Sequence, residues 1–548
     1  MHQLGYDENT LDQVVRFLQG LTRKTAANRK SAGCQRARKT AAIIRYFCVA
    51  AIKKGDTVIR INLNGEWVED AQADPQWTIL RYLRTQMAQV DVKEGCAGGD
   101  CGACTVMVGR ATEQGLQYQS INACIALLAT VHNAYVITPQ GLAKDGTLHP
   151  AQQALIDHHG SQCGFCTPGF VMSMATLYQQ QCQPSESTAT GQTVSNPAEH
   201  GWSAPEDDAI HAALSGNLCR CTGYRPIIDA ARAMGDYPAK NADAVVSFDP
   251  NAIKVSDEDG LQPLLQHQQR QLFVPHTEEQ LKILLQQYPQ ATLWAGGTDL
   301  GLEISQRFRQ FDTVICLHAI ASLQHSQDQP EQLLLGAGMT YSQLEQELSS
   351  DFPSFAELLH RIGSRQVRNL GTLGGNIANA SPIGDTPPVL LALGAQLEID
   401  GIYGRHQLAA QDFFTGYKQT RLREGEYLRA IILPKLTAQQ TLHCFKVSKR
   451  YDDDISAVMF AAVLGIDNHT IVDARVACGG VAATPLRASN VERALIGQPW
   501  SEQTMLQAAQ QVEQDYQPID DVRATKEYRL QLVRNLLLKT WAQLEALV

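Results

Sequence analysis

Apolar and polar residues alternate through TVIRINLNGEWVED (57–70), and Asn64-Gly65 interrupts the alternation, which predicts two strands joined by a tight turn. The period then changes. In WTILRYLRTQM, Ile79, Leu80, Leu83 and Met87 fall on one side of a helix. A cysteine- and glycine-rich loop comes next. From about Pro150 helical spacing dominates, first in PAQQALIDHHGSQCGFCTPGFVMSMATLYQQ and later in DDAIHAALSGNLCRCTGYRPIIDAARAM. Between these two, residues 182–207 are rich in Ser, Thr, Pro and Gly and read as a loop. A second stretch without periodicity, 237–264, reads as a linker. Strand-like and helical segments alternate beyond it to about Pro434. The remainder carries a strand, TIVDARVACGGV, and long helical patterns.

At 548 residues the chain is too long for one core and long enough for about three domains. With 44% hydrophobic and 19% charged residues it has the composition of a globular protein. A net charge of −10 argues against nucleic acid as a partner, because phosphate binding calls for a basic face. The charge is uneven: residues 1–54 hold 11 Lys/Arg against 3 Asp/Glu. That segment is expected to be a poorly ordered basic extension, or sequence translated upstream of the natural start. Its apolar run is interrupted by Arg45 and is too short to span a bilayer, and no other segment approaches that length, so no membrane association is expected.

Eight of the 14 cysteines fall into two groups, which speaks against a secreted disulfide framework and for a reducing cytoplasm. The first group is CAGGDCGACTV, with Cys96, Cys101, Cys104 and, twenty residues later, Cys124. This is the plant-type spacing for a [2Fe–2S] cluster. Gly95, Gly98, Gly99 and Gly102 let a loop wrap closely around such a cluster. Four thiolates also suit structural zinc, although zinc sites more often pair two short Cys-x2–4-Cys knuckles. The second group joins QCGFCTPG to GNLCRCTGY, giving Cys163, Cys166, Cys219 and Cys221. A Cys-x2-Cys pair by itself is compatible with a thiol redox motif or half a zinc knuckle.

A Cys-x2-Cys pair combined with Cys-x-Cys, after a plant-type group, resembles the twin [2Fe–2S] segment of the xanthine oxidase family of molybdenum hydroxylases. The spacing between the two pairs is longer here than the family's, and 182–207 sits where the extra length belongs.

Two further loops carry flavin-like chemistry. LWAGGTDL places Leu293, Trp294, Ala295, Gly296, Gly297, Thr298, Asp299 and Leu300 after a short apolar strand, where backbone N–H groups could meet a diphosphate. A tight structural turn explains that loop equally well. The second, GTLGGNIANASPIGD, is a polar glycine-rich run about seventy residues on. Both resemble the FAD domain of the same family. The resemblance implies that Leu293 to Leu300 cradle the pyrophosphate and ribityl portion, that Thr372 and Asp385 bind polar parts of FAD, and that Asn376 supports the loop. Leu428 and Lys446 match two further FAD-contact positions. Lys446 could instead be an exposed strand lysine, and Asp452–Asp454 a solvated turn.

The resemblance covers residues 57–548 and implies an α+β multidomain protein. It divides the chain into a β-grasp ferredoxin domain (57–140), a helical-bundle [2Fe–2S] domain (141–236), a two-part FAD-binding domain of the vanillyl-alcohol oxidase type (265–437) and a C-terminal α+β flavoprotein domain (438–548). This chain would then be an electron-transfer subunit without a substrate-binding catalytic residue of its own. A large partner subunit would hold the molybdopterin cofactor and hydroxylate hypoxanthine and xanthine, NAD+ would accept the electrons, and the assembly would be a dimer of heterodimers. Gln162 matches a family position that contacts the pterin. An aldehyde or another N-heterocycle as substrate, a stand-alone flavin reductase, and a zinc-stabilised scaffold stand as alternatives.

Overall fold

The computed structural model describes residues 58–112, 115–144, 146–181, 204–237 and 259–545. The basic extension, most of the 182–207 loop and most of the 237–264 linker lie outside these residues, as do Cys34, Cys48 and Cys182.

The first sheet has the order β2-β1-β5-β3-β4, built from β1 (Ile59–Leu63), β2 (Glu66–Asp70), β3 (Thr105–Thr112), β4 (Gly115–Asn122) and β5 (Tyr135–Ile137). The β1–β2 turn is made by Asn64 and Gly65 with φ of 53° and 95°, positive values that an Asn-Gly pair tolerates. The helix Ile79–Thr85 buries Ile79, Leu80 and Leu83 against this sheet and ends before Met87. Successive residues of β3 and β4 serve two cores. Met107 and Tyr118 pack against the helical segment, while Val108 and Ile121 face the opposite way, as the two-residue period of a strand requires.

The helical segment contains Pro150–Asp157, Thr167–Gln181, Asp207–Leu214 and Arg225–Ala233. Its core includes Phe170, Met174, Tyr178, Ile210 and Ile227. At Pro150 the helix starts with a capping box, in which His149 Nδ1 accepts the Ala151 N–H at 3.1 Å.

A mixed sheet of order β6-β7-β9-β8 follows, from β6 (Leu265–His267), β7 (Arg270–Phe273), β8 (Thr292–Trp294) and β9 (Thr313–Cys316); β7, β9 and β8 run parallel. Next come β10 (Ser326–Asp328), β11 (Gln332–Gly336), β12 (Gln396–Gly401), β13 (His406–Ala409), β14 (Phe414–Gly416), β15 (Gln419–Thr420) and β16 (Glu426–Pro434). Five of these form an antiparallel sheet of order β10-β11-β16-β12-β13. The last sheet, β17-β18-β19-β20, uses Gln440–Val447, Val458–Asp467, Thr470–Gly479 and Leu486–Arg487, and the helices Ser489–Leu495, Glu502–Ala509 and Lys526–Glu545 pack on it.

One fully buried side chain ties three of these parts together. Gln366 Nε2 lies 3.2 Å from Thr105 Oγ1, 3.1 Å from Ser173 Oγ and 3.1 Å from Asn217 Oδ1. Gly216 leaves room for it, because a Cβ there would stand 2.3 Å from Gln366 Oε1.

Candidate functional site

The loop Cys96–Cys104 lies between the helix Ile79–Thr85 and β3, and Cys124 follows the end of β4. The β3–β4 register pairs Thr105 with Asn122, so Cys104 and Cys124 emerge at the same end of the hairpin although twenty residues separate them. Cys96 and Cys101 hydrogen-bond each other, as do Cys104 and Cys124, and Cys96 also reaches Cys124. The Cys101 and Cys124 thiols, with the Gly98 N–H at 3.2 Å from Sγ, hold Cys96 far below the usual thiol range. Its partner Cys101 is pushed up by the Cys96 bond and by burial. Gly95 is required beside this group, since a Cβ would sit 2.8 Å from Cys101 Sγ.

The second group sits at helix junctions. Cys163 and Cys166 precede the helix Thr167–Gln181, and Cys219 and Cys221 lie between Asp207–Leu214 and Arg225–Ala233. They too form pairs: Cys163 bonds Cys221, and Cys166 bonds Cys219. Burial raises the Cys219 thiol, but hydrogen bonds from the Thr222 side chain and N–H, with those from the Cys221 N–H and the Cys166 thiol, outweigh it and bring Cys219 down to about 7. Burial pushes Cys166 up to about 12. Among the described residues no three His, Cys, Asp or Glu side chains meet where one ion would sit; the first group is a chain of four thiols, Cys101, Cys96, Cys124 and Cys104, and the second is two pairs. Four soft donors, with a backbone N–H on one sulfur, suit two bridged irons.

The groups differ in exposure. Cys104 and Cys124 are buried, whereas Cys163 and Cys221 are exposed, with Gln162 also at the surface and Phe165 and Leu218 beside them half in water. They are also joined: the Leu218 N–H donates to the Cys101 carbonyl at 3.0 Å, one residue from Cys219. On its other side the first cysteine group meets the helix Leu300–Ser305 that follows LWAGGTDL. Ser305 Oγ donates to the Ala97 carbonyl at 2.7 Å, and a Cβ on Gly301 would stand 2.3 Å from the Ile125 carbonyl.

The two glycine loops of the flavin reading meet directly. A Cβ on Gly296 would lie 1.9 Å from the Leu370 carbonyl, and one on Gly297, whose φ is 70°, would lie 2.1 Å from the Trp294 indole nitrogen. Trp294 itself is fully buried in the core that holds Phe311, Cys316, Leu370 and Cys124; its indole lies against Gly297, and among the described residues its N–H has no partner. Leu293 packs on the neighbouring core beside Ala295, Leu300 opens a short helix, and Thr298 is half-buried. Asp299 is exposed, 4.0 Å from Lys418 Nζ.

Thr372 accepts the Gly375 N–H at 3.1 Å, and Asn376 Oδ1 accepts the Thr386 hydroxyl at 2.6 Å. Lys446 is not an exposed strand lysine. Its Nζ lies 2.8 Å from Asp385 Oδ2, and both residues are buried. Ser456 Oγ donates to the other Asp385 oxygen at 2.6 Å. Leu428 is buried on β16 in the core below. The acidic run is not simply a solvated turn either, for burial, with Asp100 nearby, raises the Asp453 carboxyl to about 6.

A cavity of about 280 Å³ opens between the glycine loops and the first sheet; Ala295, Gly296, Thr340, Thr372, His318 and Arg110 are among its walls. Among the described residues His318 Nδ1 is buried without a hydrogen-bond partner, and burial lowers its imidazole to about 3. A cradle with a glycine wall that no Cβ could share, and an unpaired ring nitrogen, fits a bound polar cofactor. Sequence reasoning did not find His318, Thr340 or Ser456. Thr340 lies in a GAGMT turn that could have signalled it, whereas a lone His and a lone Ser carry no such mark.

Four domain families match the chain. The 2Fe-2S iron-sulfur cluster binding domain covers residues 61–129, and a [2Fe-2S] binding domain covers 138–232. The FAD binding domain in molybdopterin dehydrogenase covers 268–436, and the CO dehydrogenase flavoprotein C-terminal domain covers 443–544. The chain is 30% identical over 518 residues to a xanthine dehydrogenase of Drosophila subobscura, covering 84% of this chain and 37% of that protein. It is 30% identical over 499 residues to the xanthine dehydrogenase/oxidase of Rattus norvegicus, covering 81% and 36%. It therefore spans little more than a third of the length of these relatives. A solved carbon monoxide dehydrogenase from Hydrogenophaga pseudoflava aligns at a TM-score of 0.48 with 27% identity, covering 50% of this chain and 96% of that one. No helix among the described residues is long and apolar enough to cross a membrane. Two 2Fe-2S domains followed by an FAD-binding domain and its C-terminal partner place this chain in the xanthine oxidase family of molybdenum hydroxylases, as an iron–sulfur and FAD electron-transfer module.

Proposed function

We propose that this chain is the iron–sulfur and FAD subunit of a xanthine dehydrogenase that works in the cytoplasm. Its partner is a large subunit that carries the molybdopterin cofactor and oxidises hypoxanthine and xanthine to urate, in a dimer of heterodimers. When bound, two [2Fe–2S] clusters carry single electrons, and FAD converts them into two-electron reduction of NAD+. In this reading Cys163, Cys166, Cys219 and Cys221 hold the outer cluster, and Cys96, Cys101, Cys104 and Cys124 the inner one. The loops at Leu293–Leu300 and Thr372–Asn376, with Asp385, Leu428 and Lys446, bind the flavin.

The observation that carries the reading is the linear order of the three sites. The exposed thiol group is joined to the buried one by the Leu218–Cys101 hydrogen bond, and the buried one to the helix that follows the first glycine loop by the Ser305–Ala97 bond. The exposed end, with Gln162, Phe165 and Leu218, is the face a molybdenum subunit would cover. The relatives named xanthine dehydrogenase support xanthine as the substrate class. The test is to purify the chain together with what binds it, quantify iron, FAD and molybdenum, and assay xanthine with NAD+. About four irons and one FAD per chain, with urate formed only when a molybdenum-bearing partner is present, is the expected result. The same metal content without xanthine turnover would move the substrate to an aldehyde or another N-heterocycle. Zinc in place of iron would overturn the reading.

A further inference from the structure

The cavity beside the glycine loops has a second wall that belongs to the iron–sulfur domain. Val108, Arg110 and Thr112 of β3, with Gln117, Gln119 and Ile121 of β4, line it. The register pairs Arg110 with Gln117 and Val108 with Gln119, so these residues occupy one face of the hairpin at the two-residue spacing of a strand. The opposite face is committed to the helical segment through Met107 and Tyr118. Val108 and Ile121 are apolar and join the core below, but Arg110, Gln117 and Gln119 are not core residues.

The charge balance of the lining is one-sided. Among the described residues Arg110 is its only Lys or Arg, and no Asp or Glu contributes to it. Among the described residues Arg110 has no carboxylate partner; one amino group donates to the Thr130 carbonyl, 2.6 Å away, and burial lowers its guanidinium from the ordinary arginine value. A cation that has lost water without gaining a carboxylate is stabilised by an anion arriving in the cavity. On the facing wall are Gly296, which no side chain could replace, and His318 with its unpaired Nδ1. Thr340, Gln343 and Thr372 add neutral hydrogen-bonding groups. Backbone, hydroxyl and amide groups together with one guanidinium suit a phosphorylated nucleoside, and about 280 Å³ is just below the usual size of a ligand pocket, room for part of a dinucleotide.

We propose that this cavity takes the adenosine diphosphate half of the flavin dinucleotide, and that Arg110, carried by the iron–sulfur sheet, is its phosphate-binding cation. The proposal rests on the flavin reading above and adds that the cofactor is shared between two domains. Flavin loading then depends on the hairpin β3–β4, which also positions Cys104 and Cys124.

The experiment uses the full chain in its purified complex. FAD is removed and rebound to the wild type, R110Q and R110K, the dissociation constants of FAD and of ADP are measured by titration, and iron is quantified in each. R110Q is expected to weaken both FAD and ADP by about 10- to 100-fold with iron unchanged, the range for losing one charged hydrogen-bond donor. R110K should recover part of the loss. If R110Q keeps its iron and binds both nucleotides as the wild type does, the proposal is overturned. If R110Q loses iron as well, the wild type decides: ADP binding slows amide exchange in Val108–Thr112 and Gln117–Ile121 if the hairpin is a wall of the site, and unchanged exchange overturns it. A wild-type protein that takes up no FAD refutes the flavin reading itself, which is a separate result.

Discussion

Replacing Lys446 by Met isolates the energetics of the buried pair that links the two parts of the flavin region. Lys446 lies on β17 and Asp385 immediately before the helix Thr386–Leu393, and the exposures of their side chains are 2% and 8%. At 2.8 Å, with Ser456 on the second carboxylate oxygen, the pair is internally satisfied. Removing only the ammonium leaves a carboxylate buried with one hydroxyl partner, a loss of about 3–5 kcal/mol. Replacing both charges, as in D385N/K446M, removes the unpaired ion and should recover most of that. A chain of this size with bound groups does not unfold in one step, so the readout is the first thermal transition together with the temperature of flavin release. For a cooperative unit of about 200 residues the single variant should lower it by roughly 6–20 °C, and the double variant by only a few degrees. A K446M transition within about 2 °C of the wild type would refute the premise that the pair is desolvated. So would a double variant as unstable as the single one.

The remaining predictions concern the capping histidine, the two thiol groups and the three-way junction. His149 is fully buried, accepts an N–H, and is lowered to about 3 by burial. Its neutral form is therefore the folded form, and the stability it contributes is complete above the unfolded value near 6.5 and is lost as pH falls towards 3. By pH 5 that amounts to about 2 kcal/mol, visible as a falling transition temperature that H149N, which keeps an N-cap acceptor, should flatten. Chelator should strip iron first from the exposed group and later from the buried one, so iron is expected to leave in two phases; C221S should abolish the fast phase only, and a single phase in the wild type would contradict the difference in exposure. Q366A removes the donor shared by Thr105, Ser173 and Asn217 and should cost about 1–3 kcal/mol. Limited proteolysis should show faster cleavage with iron content unchanged.

Much of the site was legible without coordinates because its chemistry is local. A Cys-x4-Cys-x2-Cys loop needs glycines around it, an Asn-Gly turn needs positive φ, and both signals sit within a dozen residues. Helical and strand periods marked the helix from Ile79 and the strand from Thr470 for the same reason, with the helix overextended to Met87 and the strand to Val481. Lys446 shows where local signals stop. On its strand it has no mark that separates an exposed lysine from a buried one, and only the packing of Asp385 and Ser456 against it decides. The acidic run at Asp452–Asp454 was equally ambiguous, because Asp100 and Arg368, two of the charges that act on Asp453, are distant in the chain.

By itself the sequence determined which residues could ligate and which loops could approach a cofactor closely, since thiolate spacing and glycine conformation are properties of a few neighbouring residues. Only the tertiary structure decided how those pieces share walls. It put Arg110 of the iron–sulfur sheet across a cavity from Gly296, Leu218 against Cys101, and Gln366 at a junction of three parts. Contacts between residues as far as 261 positions apart arise from the burial of apolar faces, and that burial is blind to which polar groups it carries along.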